Sequence, residues 1–181
     1  VKEGDYLTQF YFIRHGEQDW DSVKKYKLKG QAIDLIPLTE NGIKQAKKAA
    51  KDIRIVDSEI IISSPYTRAL QTASIISKDT GIDLQVEFDL REWQSDLTFD
   101  YNSKEQLVEL WHDYTKHNGI YPQGQEKLWE TKEKLKERFN SVLERYSHYS
   151  KVIVVAHAEI FASLIPIKEI LHCSILEYTM V

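Results

Sequence analysis

The sequence predicts a three-layer α/β/α fold with a mostly parallel central sheet, and two patterns predict it. Short aromatic or β-branched runs at residues 10–13, 59–62 and 152–155 alternate with stretches of helical periodicity, and such alternation builds parallel sheets covered on both faces. Each run also stops abruptly at polar residues: Arg14-His15-Gly16, Ser63-Ser64-Pro65 and Ala156-His157. Open α/β sheets place their chemistry beyond the carboxyl ends of their strands, so these residues share one address.

The elements follow in order. After the first run, Thr39 caps a helix through the Lys- and Ala-rich segment to Ala50. After the second, Ser64 serves as N-cap and Pro65 as first helical residue of a helix over 66 to about 78, with Arg68 near its first turn. Ser103 with Gln106 forms a capping-box pattern ahead of the amphipathic stripe Leu107, Leu110, Trp111 and Tyr114. Leu128, Leu135, Phe139, Val142 and Tyr146 mark the inner face of the longest helix. The third run precedes a short helical stretch, and residues 174–181 read as one more strand at the sheet edge. No long Pro, Gly or Ser linker divides the chain, so residues 1–181 are read as one domain, with a lid or substrate-loop region at about 93–124.

Composition narrows the function. At 181 residues the chain can bury a core without staples. Lys and Arg total 24 against 28 Asp and Glu, a net charge of -4 without a basic stripe, which argues against nucleic acid as a partner. The single cysteine, Cys173, excludes a disulfide framework and a cysteine-rich zinc site, fits a reducing compartment, and reads as a core residue. No stretch approaches the roughly 20 apolar residues that cross a bilayer. The opening residues lack a signal-peptide pattern, so a cytoplasmic location is expected. His112, His117, His148 and His172 show no compact ligand spacing and read as structural or surface residues, with no metal site and no cofactor.

Arg14, His15, Arg68 and His157 converge if the strands align. Guanidinium forks match phosphate oxygens, so the two arginines can clamp a phosphoryl group. A neutral imidazole nitrogen can attack phosphorus directly, while a second histidine adds a donor for the developing charge. Spacing alone leaves open which histidine attacks. The leaving oxygen needs a proton, and the segment DLREW supplies candidates in Asp89 and Glu92, with Asp96 close by.

With these residues in view, the sequence resembles the histidine phosphatase superfamily, the phosphoglycerate mutase-like group. FIRHGEQDW (Phe12 to Trp20) is similar to its opening signature, and LTENG (Leu38 to Gly42) to its usual helix start. SSPYTRALQTA (Ser63 to Ala73), DLREW and VVAHAEI (Val154 to Ile160) are similar to its later segments, in family order. The resemblance implies catalysis without a metal, His15 as the phosphorylated histidine, Glu92 as proton donor, and Arg14, Arg68 and His157 completing the phosphate pocket. Three departures stand out. Asp21 occupies a place where the family commonly has a phosphate-holding Asn, and it repels phosphate unless turned away or paired with Lys24 or Lys25. Ala158 replaces a glycine, and Gly124-Gln125-Glu126 stand where Gly-Glu-Ser is common.

The expected function is therefore a metal-independent phosphomonoester phosphatase acting through phosphohistidine on a small phosphorylated metabolite. Mutase-type transfer, protein phosphohistidine phosphatase activity and an inactive phospholigand-binding module are the alternatives. Within the segment up to Gly124, Lys104 and Lys116 are outnumbered by Asp96, Asp100, Glu105, Glu109 and Asp113, a poor setting for a second phosphate. Trp93, Phe99, Tyr101, Trp111 and Tyr114 either line a substrate pocket or pack the covering segment. No feature indicates an oligomeric state.

Overall fold

The computed structural model describes residues 7–100, 103–167 and 169–180. Its sheet contains β1 (Thr8–Arg14), β2 (Ile60–Ser63), β3 (Leu84–Val86), β4 (Lys151–Ala156) and β5 (Ile175–Met180), in spatial order β3-β2-β4-β1-β5. Strands β1 to β4 pair in parallel, and β5 runs antiparallel along β1 at the edge. The expected mostly parallel sheet is present. Strand β3 is an addition: its three residues, with Gln85 and Val86 exposed, are too short and too polar to stand out as a hydrophobic run.

Helices α1 (Asp21–Lys25), α2 (Glu40–Ala49), α3 (Thr67–Thr80), α4 (Lys104–Lys116), α5 (Lys132–Arg145) and α6 (Ala158–Ala162) surround this sheet. Side chains alternate across a strand, so each strand feeds two cores. Phe10, Phe12, Ile62, Val152 and Val154 pack with Leu135, Phe139 and Phe161 of α5 and α6. On the other face Tyr11, Ile13, Ile61, Ile153 and Val155 meet Ala49 of α2 and Ala69, Ala73 and Ile76 of α3. No helix among the described residues is long and apolar enough to cross a membrane.

Local sequence explains the helix ends. Thr39 Oγ1 accepts from Gly42 N, Ser103 Oγ from Gln106 N and Thr131 Oγ1 from Lys134 N, each satisfying a first-turn amide that lacks an intrahelical partner. Gly81 closes α3 in the left-handed conformation at φ 77.

Several expectations need correction. Helix α3 begins at Thr67, because Tyr66 is extended; Ser64 lies outside the helix, and its Oγ accepts from Tyr66 N at 3.3 Å. Leu128 is 50% exposed and precedes α5, so it is absent from that helix's inner face. Gly124 and Gln125 belong to a turn closed by Gln125 N donating to Pro122 O. The acid and hydroxyl that open α5 are Glu130 and Thr131. Ala158 begins α6 and is not among the residues with positive φ, so its methyl meets no left-handed strain. Cys173 is only half-buried, at φ 54, packed beside the α2/α3 core. Tyr101 lies outside the described residues.

A tight backbone contact fixes the loop after β1. A Cβ on Gly16 would come within 2.6 Å of the Gly42 carbonyl oxygen, and one on Gly42 would collide with the Glu17 carbonyl. Glu17 is further tied to α2 by Thr39 N to Glu17 O at 2.9 Å and Thr39 Oγ1 to Glu17 Oε1 at 2.7 Å. Alanine is the better helix former by about 1 kcal/mol, yet the backbone collision dominates here. Gly42→Ala should therefore destabilise the protein by about 1–3 kcal/mol in a urea titration; an unchanged midpoint would show that the loop yields freely.

Candidate functional site

Strand register builds the site. Arg14 pairs with Ala156 across β1 and β4, so His15 and His157 lie side by side one residue beyond the paired ends. His15 N donates to Ala156 O at 3.0 Å, and the two imidazole centroids are 5.2 Å apart. Ser63 pairs with Val155 across β2 and β4, which brings Ser64 Oγ to 2.8 Å from His157 Nε2. Arg68, in the first turn of α3, donates from Nε to His15 Nε2 at 3.3 Å and from Nη1 to Asp34 Oδ1 at 2.8 Å. Arg14 projects from the end of β1 and donates from Nη1 to the Ile170 carbonyl at 2.6 Å.

Glu92 arrives from the other side of the sheet's carboxyl edge. Its Oε1 accepts from Trp93 N at 2.8 Å and Ile160 N at 3.2 Å, and its Oε2 from Glu159 N at 3.3 Å. The loop carrying it is held by Arg138 of α5, which donates to the carbonyls of Asp89 and Arg91 at 2.6 and 2.8 Å and pairs with Glu130 at 2.7 Å. Among the competing acids, Asp89 pairs with Arg91 at 2.9 Å, and Asp96 accepts from Thr98 N and Oγ1 at 2.7 and 2.6 Å. Neither lines the cavity that Glu92 enters.

That cavity has a volume of about 350 Å³. Arg14, His15, Arg68 and Glu92 line it, as do Ile33, Trp93, Leu107, Val108, Trp111 and Glu159. His157 stands behind His15, fully buried. Asp21 is exposed at the start of α1 and is not among the lining residues, so it does not confront a phosphate there; no ion pair with Lys24 or Lys25 forms. Trp93 and Trp111 both line the cavity and pack against one another at 5.3 Å, whereas Tyr114 is core and Phe99 lines a neighbouring cavity with Leu35, Pro65 and Phe88.

Electrostatics distinguish the groups. Burial, reinforced by Arg68, holds the His15 pKa well below its usual value, so its ring is neutral at neutral pH. His15 Nδ1 lies 2.8 Å from the Gly16 carbonyl, which can only accept, so Nδ1 carries the proton. Nε2 then keeps its lone pair, facing Arg68. His157 is depressed likewise by burial and Arg68. Burial raises the Glu92 pKa, opposed by the Trp93 amide and the Arg68 charge. Arg14 Nε is buried without a hydrogen-bond partner, donor capacity that a ligand oxygen can use, and His157 Nδ1 is likewise unpartnered.

All five sequence candidates thus come together, and further residues join them. Asp34 orients Arg68 from a weakly patterned stretch where only its charge was visible. Gln94 donates to the Glu92 carbonyl and to the Tyr66 hydroxyl at 2.8 and 2.9 Å. His172 is neither surface nor remote: its ring is 5.6 Å from His15 with Nε2 buried, and Cys173 N pins the segment to Arg14 O at 2.9 Å. No local pattern marks it, because it returns from the far end of the chain. Among the described residues no cluster of three His, Cys, Asp or Glu can hold a metal ion.

The chain is similar to known proteins along most of its length. Residues 10–174 match the histidine phosphatase superfamily (branch 1). The probable phosphoglycerate mutase GpmB of Proteus mirabilis is 30% identical over 157 residues, covering 83% of this chain and 70% of that protein. GpmB of Photorhabdus laumondii is 36% identical over 86 residues, 48% of this chain, and the matched part spans only 38% of the relative's length. Among solved structures, a phosphoglycerate mutase from Bacillus anthracis superposes with TM-score 0.73 at 19% identity, covering 97% of this chain and 89% of its own. A mycobacterial glucosyl-3-phosphoglycerate phosphatase does so with TM-score 0.63 at 22% identity, covering 87% and 77%. These two share the fold. Since the family match runs from within the first strand to the threshold of the last, the chain belongs to branch 1 of the histidine phosphatase superfamily.

Proposed function

We propose that the protein is a metal-independent phosphatase of small phosphomonoesters that works through a phosphohistidine on His15. The observation that carries this reading is the neutral His15 ring, with Nδ1 tied to the Gly16 carbonyl and Nε2 turned toward Arg68. The Nε2 lone pair forms the N–P bond as the ester P–O bond breaks. Arg14, Arg68 and His157 take the charge on the phosphoryl oxygens. Protonated Glu92 gives its proton to the departing oxygen. Water then attacks the phosphohistidine, the Glu92 carboxylate takes its proton, and the N–P electron pair returns to Nε2.

Hydrolysis is favoured over mutase chemistry by the cavity lining. Among the described residues the cations that line it are Arg14 and Arg68, the pair given to the phosphoryl group, and Glu159 adds a carboxylate to the lining. A bisphosphorylated intermediate finds no second clamp there. A volume of about 350 Å³ suits a metabolite and lies at the low end for ligand pockets. The relatives named as probable phosphoglycerate mutases keep mutase transfer as the alternative to be tested.

His15→Ala should abolish the base-stable, acid-labile phosphoenzyme and lower turnover by at least roughly a thousandfold; persistence of the phosphoenzyme would remove His15 from the nucleophile role. Arg68→Ala should raise the barrier by about 2–4 kcal/mol, measured as kcat/KM. Glu92→Gln should slow alkyl phosphates by about 10²–10⁴-fold and p-nitrophenyl phosphate far less. Equal losses for both would count against a general acid. The pH profile has a definite sign: a depressed His15 pKa keeps the nucleophile neutral as pH falls through 6.5. The raised Glu92 pKa places the basic limb above 4.5, the usual carboxyl value, and Glu92→Gln should remove that limb.

A further inference from the structure

We infer that the part of the cavity lined by Glu159 receives a cationic leaving group, so that the substrates are phosphate esters of amino alcohols, with Glu159 as the counter-charge and Trp93 and Trp111 as aromatic walls. The substrate class rests on the phosphatase reading; the cation subsite stands on its own geometry.

Glu159 is the second residue of α6, and its backbone N–H donates to Glu92 Oε2 at 3.3 Å, so the peptide that carries it is fixed beside the reaction centre. Its side chain lines the same cavity as His15 and Arg68. Among the described residues the carboxylate has no hydrogen-bond or ion-pair partner, although it is largely withdrawn from solvent. Lys132 acts on it only as a more distant charge. Burial, and then the neighbouring Glu92, push its pKa up to about 7. A half-buried carboxylate without a partner has lost part of its hydration, which a ligand's positive charge can compensate.

The walls discriminate among ligands. Trp93 and Trp111 meet edge to face at 5.3 Å, and aromatic faces attract cations through their quadrupoles. Leu107, Val108 and Ile33 add apolar lining, beside the polar side chains of Gln18, Gln31, Gln94 and Ser95. A neutral apolar group satisfies the indoles but leaves the half-buried Glu159 without a counter-charge. A second phosphate meets a carboxylate where it needs a guanidinium. An ammonium pairs with Glu159 and packs beside the indoles, so it suits both the carboxylate and the aromatic walls.

Phosphonates separate occupancy from turnover, because their C–P bond survives a phosphatase. Calorimetry at about pH 8, where the carboxylate is ionised, compares 2-aminoethylphosphonate with propylphosphonate and 3-aminopropylphosphonate with butylphosphonate, pairs that differ only by nitrogen for carbon at the tip. At least one aminoalkyl probe should bind about tenfold tighter than its isostere, and Glu159→Gln should bring that ratio to within about twofold of unity. Equal affinities at both lengths, no detectable binding of either aminoalkyl probe, or a preference that survives Glu159→Gln would each overturn the subsite. Turnover of O-phosphoethanolamine and propyl phosphate reports separately on the chemistry. If neither ester is hydrolysed while the phosphonate preference holds, the phosphatase reading and its substrate class fail and the cation subsite stands.

Discussion

The parallel pairing of β1 with β4, in the register that matches Arg14 to Ala156, is the constraint on which the site depends. Slipping a strand by one residue turns every side chain to the opposite face. Phe10 and Phe12 would then leave the α5/α6 core and Tyr11 and Ile13 would leave the α2/α3 core, so burial on both faces enforces the register. The same enforcement aligns His15 with His157. Hydrophobic packing thus positions two polar residues that contribute nothing to it, and backbone hydrogen bonds across the sheet carry that precision to the strand ends.

Around this pair the protein assembles charge at some cost. Both histidines are held neutral by burial and by Arg68, so as pH falls below 6.5 the unfolded chain takes up protons that the folded chain refuses, and stability declines. Glu92 and Glu159 have raised pKa values and act with the opposite sign. Their contribution is fullest below 4.5 and is lost as pH rises, for Glu159 through about 7. The two trends partly offset each other across the mildly acidic range.

The Glu92 loop shows how a catalytic carboxyl is held without regular structure. Arg138 anchors the loop's carbonyls and is itself paired with Glu130, both almost wholly buried. Breaking such a pair leaves a stranded charge and costs about 3–5 kcal/mol, so the pair resists loss even though its net contribution to stability is small. Glu130 also sits next to the Thr131 cap, so the start of α5 and the position of Glu92 are set by adjacent residues.

What the sequence determined by itself was the local grammar: short continuous apolar runs, Thr39 and Ser103 as caps, and charged residues placed where strands end. Arg14, His15, Arg68 and His157 were legible because each follows a strand signal, and Glu92 because the segment DLREW resembles the family's in order. Residues without such signals were not. Leu128 and Gly124-Gln125-Glu126 fitted patterns that the chain does not use, since an exposed apolar residue and a glycine are compatible with many loops. The three residues of β3 acquire strand character only from pairing with β2. Asp34, Glu159 and His172 enter the site through contacts between remote segments, and their burial and pKa values arise from neighbours that no local window contains. Tertiary structure alone decided which polar groups lost water, because desolvation is a property of the packed chain.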